Sequence, residues 1–255
     1  MSYLETTKSV YKDAALTPDI GLCCTTTPIW QFPGLSIPTR MQEMNYGCGS
    51  TVHPRDLVNN PKILYVGVGG GMELLQFSYF SRQKNGVIGV DVVDEMLQAC
   101  QDNFTEAEQQ NDWFQKDFVQ LKQGDALALP LADSSVDVAA QNCLFNIFKQ
   151  DELKQALKEM YRVLKPQGRL VMSDPICEQP INDSLRNDEK LRALCLSGSI
   201  PLNDYLNMLV EVGFGTLEVR AKRPYRILDT AHYPTKENLY IESVEVCAIK
   251  DPMPE

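Results

Sequence analysis

Short apolar runs alternate with longer amphipathic stretches from residue 61 onward, and this alternation is the main structural signal in the chain. The apolar runs are short enough for strands and rich in β-branched residues. They predict strands at Lys62–Val66, Val87–Asp91, Val119–Gln123, Val136–Ala140 and Arg169–Ser173. The stretches between them predict helices at Gly71–Arg82, Val93–Gln110 and Asp151–Leu164. Strands that alternate with helices indicate an α/β fold with a doubly wound, mostly parallel sheet.

The two ends of the chain extend this pattern. A helix at Leu202–Val212 and two strands at Thr216–Ala221 and Ser243–Ile249 complete a seven-stranded sheet with a hairpin-like edge. Residues before Pro61 are rich in turn formers, and apart from a short helix near Tyr3–Ala15 they predict a lid. We therefore expect an N-terminal lid at 1–60, an α/β core at 61–175 and a C-terminal part at 176–255 that completes the sheet and the substrate site.

Composition and charge exclude several classes of function. The chain has 24 basic and 34 acidic residues, a net charge of −10, and no basic cluster beyond Arg220–Arg226. This balance argues against nucleic acid or an anionic membrane as a partner. The longest apolar runs are of strand length, and the first residues are polar, which favours a cytoplasmic protein without a signal peptide. With two histidines and no paired C-x-x-C motifs, a structural zinc site is not expected.

Glycines follow the first predicted strand in the spacing G-x-G-x-G, at Gly67, Gly69 and Gly71. They allow the backbone to turn sharply and to approach a ligand closely. Asp91 ends the second strand, where its carboxylate can accept hydrogen bonds from both hydroxyls of a ribose. A dinucleotide fingerprint needs glycine where Met72 stands, so S-adenosylmethionine is favoured over NAD or FAD.

Three further positions extend the predicted nucleoside site. Asp125 and Ala126 follow the third strand, where Asp125 can bind the adenine amino group, although aspartate is also frequent in simple turns. Met96 either covers the adenine or packs in the core. Asn142, at the end of the fourth strand, is placed next to the same ligand.

Together these motifs resemble the class I S-adenosylmethionine-dependent methyltransferases over about residues 60–175. The resemblance implies a Rossmann-like fold and the methyl donor S-adenosylmethionine. One position departs from the pattern of the family, which usually has an acidic residue where this chain has Tyr65. That acidic residue supports the methionine end of the cofactor, so the sequence leaves open how this end is held.

Cysteines within distinctive flanking sequences carry a second resemblance. Cys48 lies between two glycines, Cys143 lies between Asn142 and Leu144, and Cys195 precedes a small run ending at Gly198. The adjacent Cys23 and Cys24 precede Thr25-Thr26. This set resembles the arsenite S-adenosylmethionine methyltransferases, and looks closest to their cyanobacterial type, which is tied to arsenosugar formation.

The arsenite methyltransferase resemblance implies an arsenic site made of thiols. It places arsenic, as substrate, on Cys143 and Cys195 with help from Cys48. It also implies that Cys23 or Cys24 forms a disulfide with Cys48, which an external thiol such as thioredoxin or glutathione reduces. No metal cofactor is implied, and a monomer is expected. The other cysteines, Cys100, Cys177 and Cys247, are interpreted as packing residues.

Two other functions remain possible from the residues alone. One is a methyltransferase for an ordinary small metabolite, in which the cysteines are structural. It would need an acid–base residue on the substrate side, and the sequence offers no obvious candidate. The other is a thiol-based metalloid-binding protein with a vestigial cofactor site, which Tyr65 alone favours. Binding of the cofactor distinguishes the two classes.

Overall fold

The computed structural model of the chain describes residues 2–19, 22 and 31–251. Its helices are α1 (Tyr3–Leu16), α2 (Thr39–Glu43), α3 (Met72–Ser78), α4 (Asp94–Gln110), α5 (Gln150–Val163), α6 (Asp183–Arg186), α7 (Glu189–Ala193) and α8 (Leu202–Val212). Its strands are β1 (Ile63–Val66), β2 (Val87–Asp91), β3 (Val119–Gln123), β4 (Val136–Asn142), β5 (Leu164–Cys177), β6 (Ile200–Pro201), β7 (Thr216–Leu228) and β8 (Leu239–Ile249). Cys23 and Cys24 lie outside the described residues.

All the strands belong to one sheet in which seven follow the order β3-β2-β1-β4-β5-β8-β7, and the two-residue β6 pairs with β5. The pairs from β3 through β5 are parallel, whereas β8 is antiparallel to both β5 and β7. The predicted mostly parallel, doubly wound sheet is confirmed. Strand order reverses beside β1, and ligands of such sheets bind outside the carboxyl ends of the strands at that point.

The sheet is covered by apolar side chains on both faces because alternate residues of each strand point in opposite directions. On β1, Ile63 and Tyr65 join the apolar cluster of α1, α3 and α4, whereas Leu64 and Val66 join the cluster of α5 and α8. Burial on both faces explains why the central strands are continuous apolar runs. Within the described residues, no helix is long and apolar enough to cross a membrane.

The observed elements differ from the predicted ones mainly at the edge of the sheet. The strands β7 and β8 are longer than predicted, because each pairs with the other along its whole length. Strand β5 begins at Leu164 rather than Arg169, and within this extension Gln167 has a positive φ of 63°. Helix α3 ends at Ser78 rather than Arg82, and the short α2, α6 and α7 were not predicted.

Two irregularities interrupt the pairing of β7 with β8. The register shifts between Val219 and Ala221, and again between Pro224 and Arg226. Each shift leaves one extra residue on β7, Arg220 in the first case and Tyr225 in the second, which is the definition of a β-bulge. Arg220 forms a buried, two-pronged ion pair with Asp56.

Candidate active site

A cavity of about 940 Å³, including its open mouth, lies at the carboxyl ends of β1, β2 and β4. Residues of α1 form part of its wall, and these are Leu4, Thr7, Lys8 and Tyr11. The predicted site residues that line the cavity are Gly67, Gly69, Asp91, Met96, Asp125, Ala126, Asn142 and Cys143. The structure therefore brings together at one cavity most of the residues assigned to a nucleoside site from sequence.

The glycine loop after β1 requires backbone conformations that other residues rarely adopt. Gly67 and Gly69 have φ angles of 81° and 50°. A Cβ at Gly67 would lie 3.3 Å from the Leu144 side chain, a close contact, so the positive φ is the main reason for glycine at this position. Gly71 differs, because it does not line the cavity. A Cβ there would lie 2.7 Å from Cys100 Sγ on α4, so Gly71 permits close packing of that helix.

The carboxylate of Asp91 faces the cavity from the end of β2. Its Oδ2 accepts from the Val68 N–H and its Oδ1 accepts from the Val93 N–H, both at 2.9 Å. Burial raises the pKa of Asp91 to about 6, although both backbone hydrogen bonds favour the ionised form. Each oxygen retains a lone pair, so the group can accept two further hydrogen bonds.

Cys143 lines the cavity and Cys195 lies next to it, and both are buried. The Cys195 thiol donates a hydrogen bond to the Cys143 carbonyl oxygen at 2.6 Å. Both residues have a positive φ, 57° at Cys143 and 59° at Cys195. Non-glycine residues in this conformation are strained by about 1–3 kcal/mol each, and such strain is concentrated at functional sites.

Cys48 reaches the same region from the loop that follows α2. Its Sγ lies 3.3 Å from Ser173 Oγ on β5, and its N–H donates to Asn142 Oδ1 at 2.9 Å. The Ser173 carbonyl oxygen accepts from the Cys143 N–H at 2.7 Å. Ser173 therefore contacts two of the predicted arsenic ligands, and the three cysteines assemble around the ends of β4 and β5.

The thiols do not yet form a closed ligand set. Among residues 2–19, 22 and 31–251, no three His, Cys, Asp or Glu side chains converge on a point where one ion could be held. Half-buried Tyr225, the extra residue of the second bulge on β7, places its hydroxyl 3.9 Å from Cys143 Sγ. Tyr225 could not be identified as a site residue from the sequence, because a bulge depends on pairing with another strand.

Tyr65, the residue that departs from the class I pattern, does not line the cavity. Its hydroxyl donates to Glu73 Oε2 on α3 at 2.6 Å, and both side chains are buried. Burial raises the pKa of the Glu73 carboxyl group. Glu73 was not predicted as a site residue, because a glutamate in the first turn of a helix is common for local reasons alone.

The other three cysteines that the structure describes are buried, as expected of packing residues. Cys100 lies on α4, where burial raises the pKa of its thiol well above the usual value. Burial also raises the pKa values of Cys177 and Cys247 to about 11. These three thiols are therefore protonated at neutral pH, and such buried thiols are chemically inert.

The chain is similar in sequence to a methyltransferase family model and to arsenite methyltransferases. Residues 64–172 match a family model described as a methyltransferase domain. An arsenite methyltransferase of Aquipseudomonas alcaligenes is 30% identical over 212 residues, which cover 82% of this chain and 60% of the relative. An arsenite methyltransferase of Halobacterium salinarum is 28% identical over 180 residues, or 71% of this chain and 44% of the relative. The chain thus spans about half the length of these curated relatives.

Solved structures show the same fold. The crystal structure of an arsenic(III) S-adenosylmethionine methyltransferase from Chlamydomonas reinhardtii matches 89% of this chain and 75% of that chain. Its TM-score is 0.73, and its sequence is 24% identical. The YcgJ protein of Bacillus subtilis matches 79% of this chain and 100% of its own, with a TM-score of 0.60 and 19% identity.

Proposed function

We propose that the chain is a class I S-adenosylmethionine-dependent methyltransferase of the arsenite methyltransferase type and that it methylates trivalent arsenic held by its own cysteines. Arsenite is the first substrate and methylarsenite the second. The observation that carries the proposal is that hydrogen bonds join Cys195 to Cys143 and Cys48 to Asn142, the neighbour of Cys143, at one end of the nucleoside cavity.

The cavity fits the methyl donor. Gly67 and Gly69 leave space for close approach, Asp91 offers two acceptor positions to a ribose, and Ala126 and Met96 add apolar surface for an adenine. S-adenosylmethionine, when bound there, supplies an electrophilic methyl carbon. The chain's own residues then have to present arsenic at the Cys143 end of the cavity, since Cys143 is the one of the three thiols that lines it.

Thiols suit this substrate for two reasons. Arsenite is the uncharged As(OH)₃ near neutral pH, so the acidic protein does not repel it. As(III) is a soft centre that takes three sulfur ligands and keeps a lone pair, and thiolates select soft centres. Each As–S bond that forms releases one hydroxide, which leaves as water with the thiol proton. Before arsenic can bind, the Cys195 thiol must break its hydrogen bond to the Cys143 carbonyl oxygen, and Cys48 Sγ must break its contact with Ser173 Oγ.

The electron balance explains the need for further thiols. Arsenic gives both electrons of the new As–C bond and is formally oxidised to As(V). We assign the reduction to Cys23 or Cys24, whose thiolate attacks the arsenic-bound sulfur of Cys48. The S–S bond forms as the As–S bond breaks, and the electron pair of the As–S bond returns arsenic to As(III). An external dithiol or glutathione then reduces the disulfide of Cys48 with Cys23 or Cys24. The protein contributes alignment of arsenic with the methyl group, which is the larger part of such catalysis. The reaction serves arsenic detoxification or supplies arsenosugar formation, in a cytoplasmic monomer.

Arsenite and methylarsenite should differ in their need for Cys48. Methylarsenite already has carbon in one coordination position, so Cys143 and Cys195 suffice to hold it. Arsenite has three positions to fill and needs a third sulfur. We therefore expect Cys143→Ser and Cys195→Ser to abolish methylation of both substrates, and Cys48→Ser to abolish only the arsenite step when excess thiol is present.

The experiment is arsenic speciation after incubation of each variant with either substrate, S-adenosylmethionine and thiol. Cys177→Ser is the matched control, because its buried thiol only donates to the Ser199 carbonyl oxygen, which a hydroxyl can also do. It should methylate both substrates. Full activity of Cys143→Ser or Cys195→Ser would remove that residue from the arsenic site. If Cys48→Ser loses methylation of arsenite and of methylarsenite equally, the proposed difference in role between Cys48 and the other two thiols is refuted.

A further inference from the structure

Glu73 is a buried carboxylate with four hydrogen-bond donors around it. Oε1 accepts from the Thr51 N–H at 2.8 Å and from Thr51 Oγ1 at 3.1 Å. Oε2 accepts from the Tyr65 hydroxyl at 2.6 Å and from Asn142 Nδ2 at 3.1 Å. A carboxylate has about four lone-pair positions, so these donors saturate it. Glu73 is only 5% exposed and does not line the cavity, so it is not placed to bind the ammonium group of a cofactor.

Asn142 continues the same network into the loop that carries Cys48. Its Oδ1 accepts from the Cys48 N–H, and its Nδ2 donates to the Gly49 carbonyl oxygen at 2.8 Å as well as to Glu73. Together with the Thr51 contacts, these bonds secure the backbone at both ends of Cys48–Thr51. The loop lies very close to Asn142, since a Cβ at Gly47 would be only 2.5 Å from Asn142 Nδ2.

The network acts on the backbone of Cys48, whereas the sulfur of Cys48 contacts Ser173 Oγ on β5 at 3.3 Å. The network therefore fixes where the Cα of Cys48 lies. A sulfur on an ordered backbone needs only a side-chain movement to reach the substrate, whereas a sulfur on an unrestrained loop would also have to be ordered by the substrate.

We propose that Glu73, acting through Asn142 and Thr51, is the positioning residue that makes Cys48 available as the third sulfur for arsenite. This inference rests on the proposed function. Because methylarsenite uses two sulfurs, loss of the Glu73 network should reduce conversion of arsenite far more than conversion of methylarsenite. A role in stability alone would reduce both conversions equally.

The test is Glu73→Gln, which keeps the size of the side chain but replaces one acceptor oxygen by an NH₂ donor. Two of the four donors around residue 73 then face the new NH₂ group instead of an acceptor. Loss of one of these hydrogen bonds weakens the network by about 1.4 kcal/mol, which corresponds to a factor of ten in an equilibrium constant. We expect arsenite conversion to fall about tenfold or more, and methylarsenite conversion to stay within about threefold of the original. Titration with arsenite in the absence of cofactor, followed by the ultraviolet absorbance of the As–S bonds, gives the number of sulfurs bound per arsenic. This number should fall from three in the original protein towards two in Glu73→Gln.

Two further variants make the test independent of folding. Ser78→Ala is the control on the same helix, since buried Ser78 only donates to the Leu74 carbonyl oxygen at 2.8 Å, and both conversions should be unchanged. Thr51→Val removes a single bond to Glu73 and keeps the shape, so it tests the network if Glu73→Gln does not fold. It should lower arsenite conversion about threefold with methylarsenite conversion unchanged.

The outcomes separate the two proposals. One outcome would refute the positioning role and leave the proposed function intact. In it, Cys48→Ser no longer methylates arsenite, but folded Glu73→Gln converts both substrates at the original rates. If Glu73→Gln does not fold, the same result with Thr51→Val leads to the same conclusion. Equal loss of both substrates in Glu73→Gln would also refute the positioning role. If Cys48→Ser itself converts arsenite normally, the assignment of Cys48 fails, and the role of Glu73 fails with it.

Discussion

Cofactor affinity should depend on the charge of Asp91. Both oxygens of this carboxylate accept backbone hydrogen bonds, and burial raises its pKa to about 6. A ribose with two hydroxyls donates to the ionised form, so binding favours ionisation and lowers the pKa further. Affinity is therefore fully present about one unit or more above the pKa and is lost as the pH falls through 6.

The size of the effect follows from the pKa. At pH 7.5 nearly every Asp91 is ionised, whereas at pH 5, one unit below a pKa of about 6, roughly a tenth remains ionised. If only the ionised form binds, affinity falls about tenfold, or about 1.4 kcal/mol, between these values. Asp91→Asn should bind weakly at both values, because it loses charge-assisted bonds of about 1.5–3 kcal/mol each.

Isothermal calorimetry with S-adenosylhomocysteine at pH 5 and 7.5 measures the dependence directly. Asp125→Asn is the control, since Asp125 is the other carboxylate lining the cavity and its Oδ1 already accepts from the Leu127 N–H at 2.9 Å. This variant should keep the pH dependence, and Asp91→Asn should lose it. Affinity that is constant with pH in the original protein, or a dependence that survives in Asp91→Asn, would refute the reasoning.

Two predictions concern the framework around the site. Gly198→Ala should lower the melting temperature by the equivalent of about 1–3 kcal/mol and reduce methylation, because its Cβ would overlap the Asn146 carbonyl oxygen, between the segments that carry Cys143 and Cys195. An unchanged melting temperature would contradict this. Asp56→Ala should reduce the free energy of unfolding in urea by about 3–5 kcal/mol, because it leaves Arg220, with a side chain 5% exposed, without its buried partner. A loss below about 1 kcal/mol would show that Glu218, 3.1 Å from Arg220, compensates.

The parallel core could be predicted from sequence because each of its strands is buried on both faces. Ile63–Val66 is apolar at every position, and so the strand is visible without knowledge of its neighbours. The edge was harder to predict, since β7 mixes exposed and partly buried positions up to Leu228 and has no continuous apolar run. Only its pairing with β8 keeps residues after Ala221 extended, and such pairing is not a local property.

The candidate site divides in the same way. The glycine loop and Asp91 were predictable because their roles depend on position in one β-α-β unit. Ser173 and Glu73 were not, because each acts on residues distant in sequence. Ser173 lies 125 residues from Cys48, and Glu73 lies 69 residues from Asn142. The cysteines stood out by their flanking residues, whereas the residues that place them are ordinary in their local context.

The bulges of β7 show how a site residue can be added without rebuilding the sheet. Pro224 and Arg226 pair with the consecutive residues Glu242 and Ile241 of β8, so Tyr225 has no pairing partner on that strand. Its hydroxyl nevertheless lies 3.9 Å from Cys143 Sγ. Deletion of Tyr225 would join Pro224 to Arg226, whose partners on β8 are already consecutive, so the rest of the strand would keep its register. This corner of the site can therefore change by insertion and deletion as well as by substitution. Among related chains, we expect variation here to include differences in strand length.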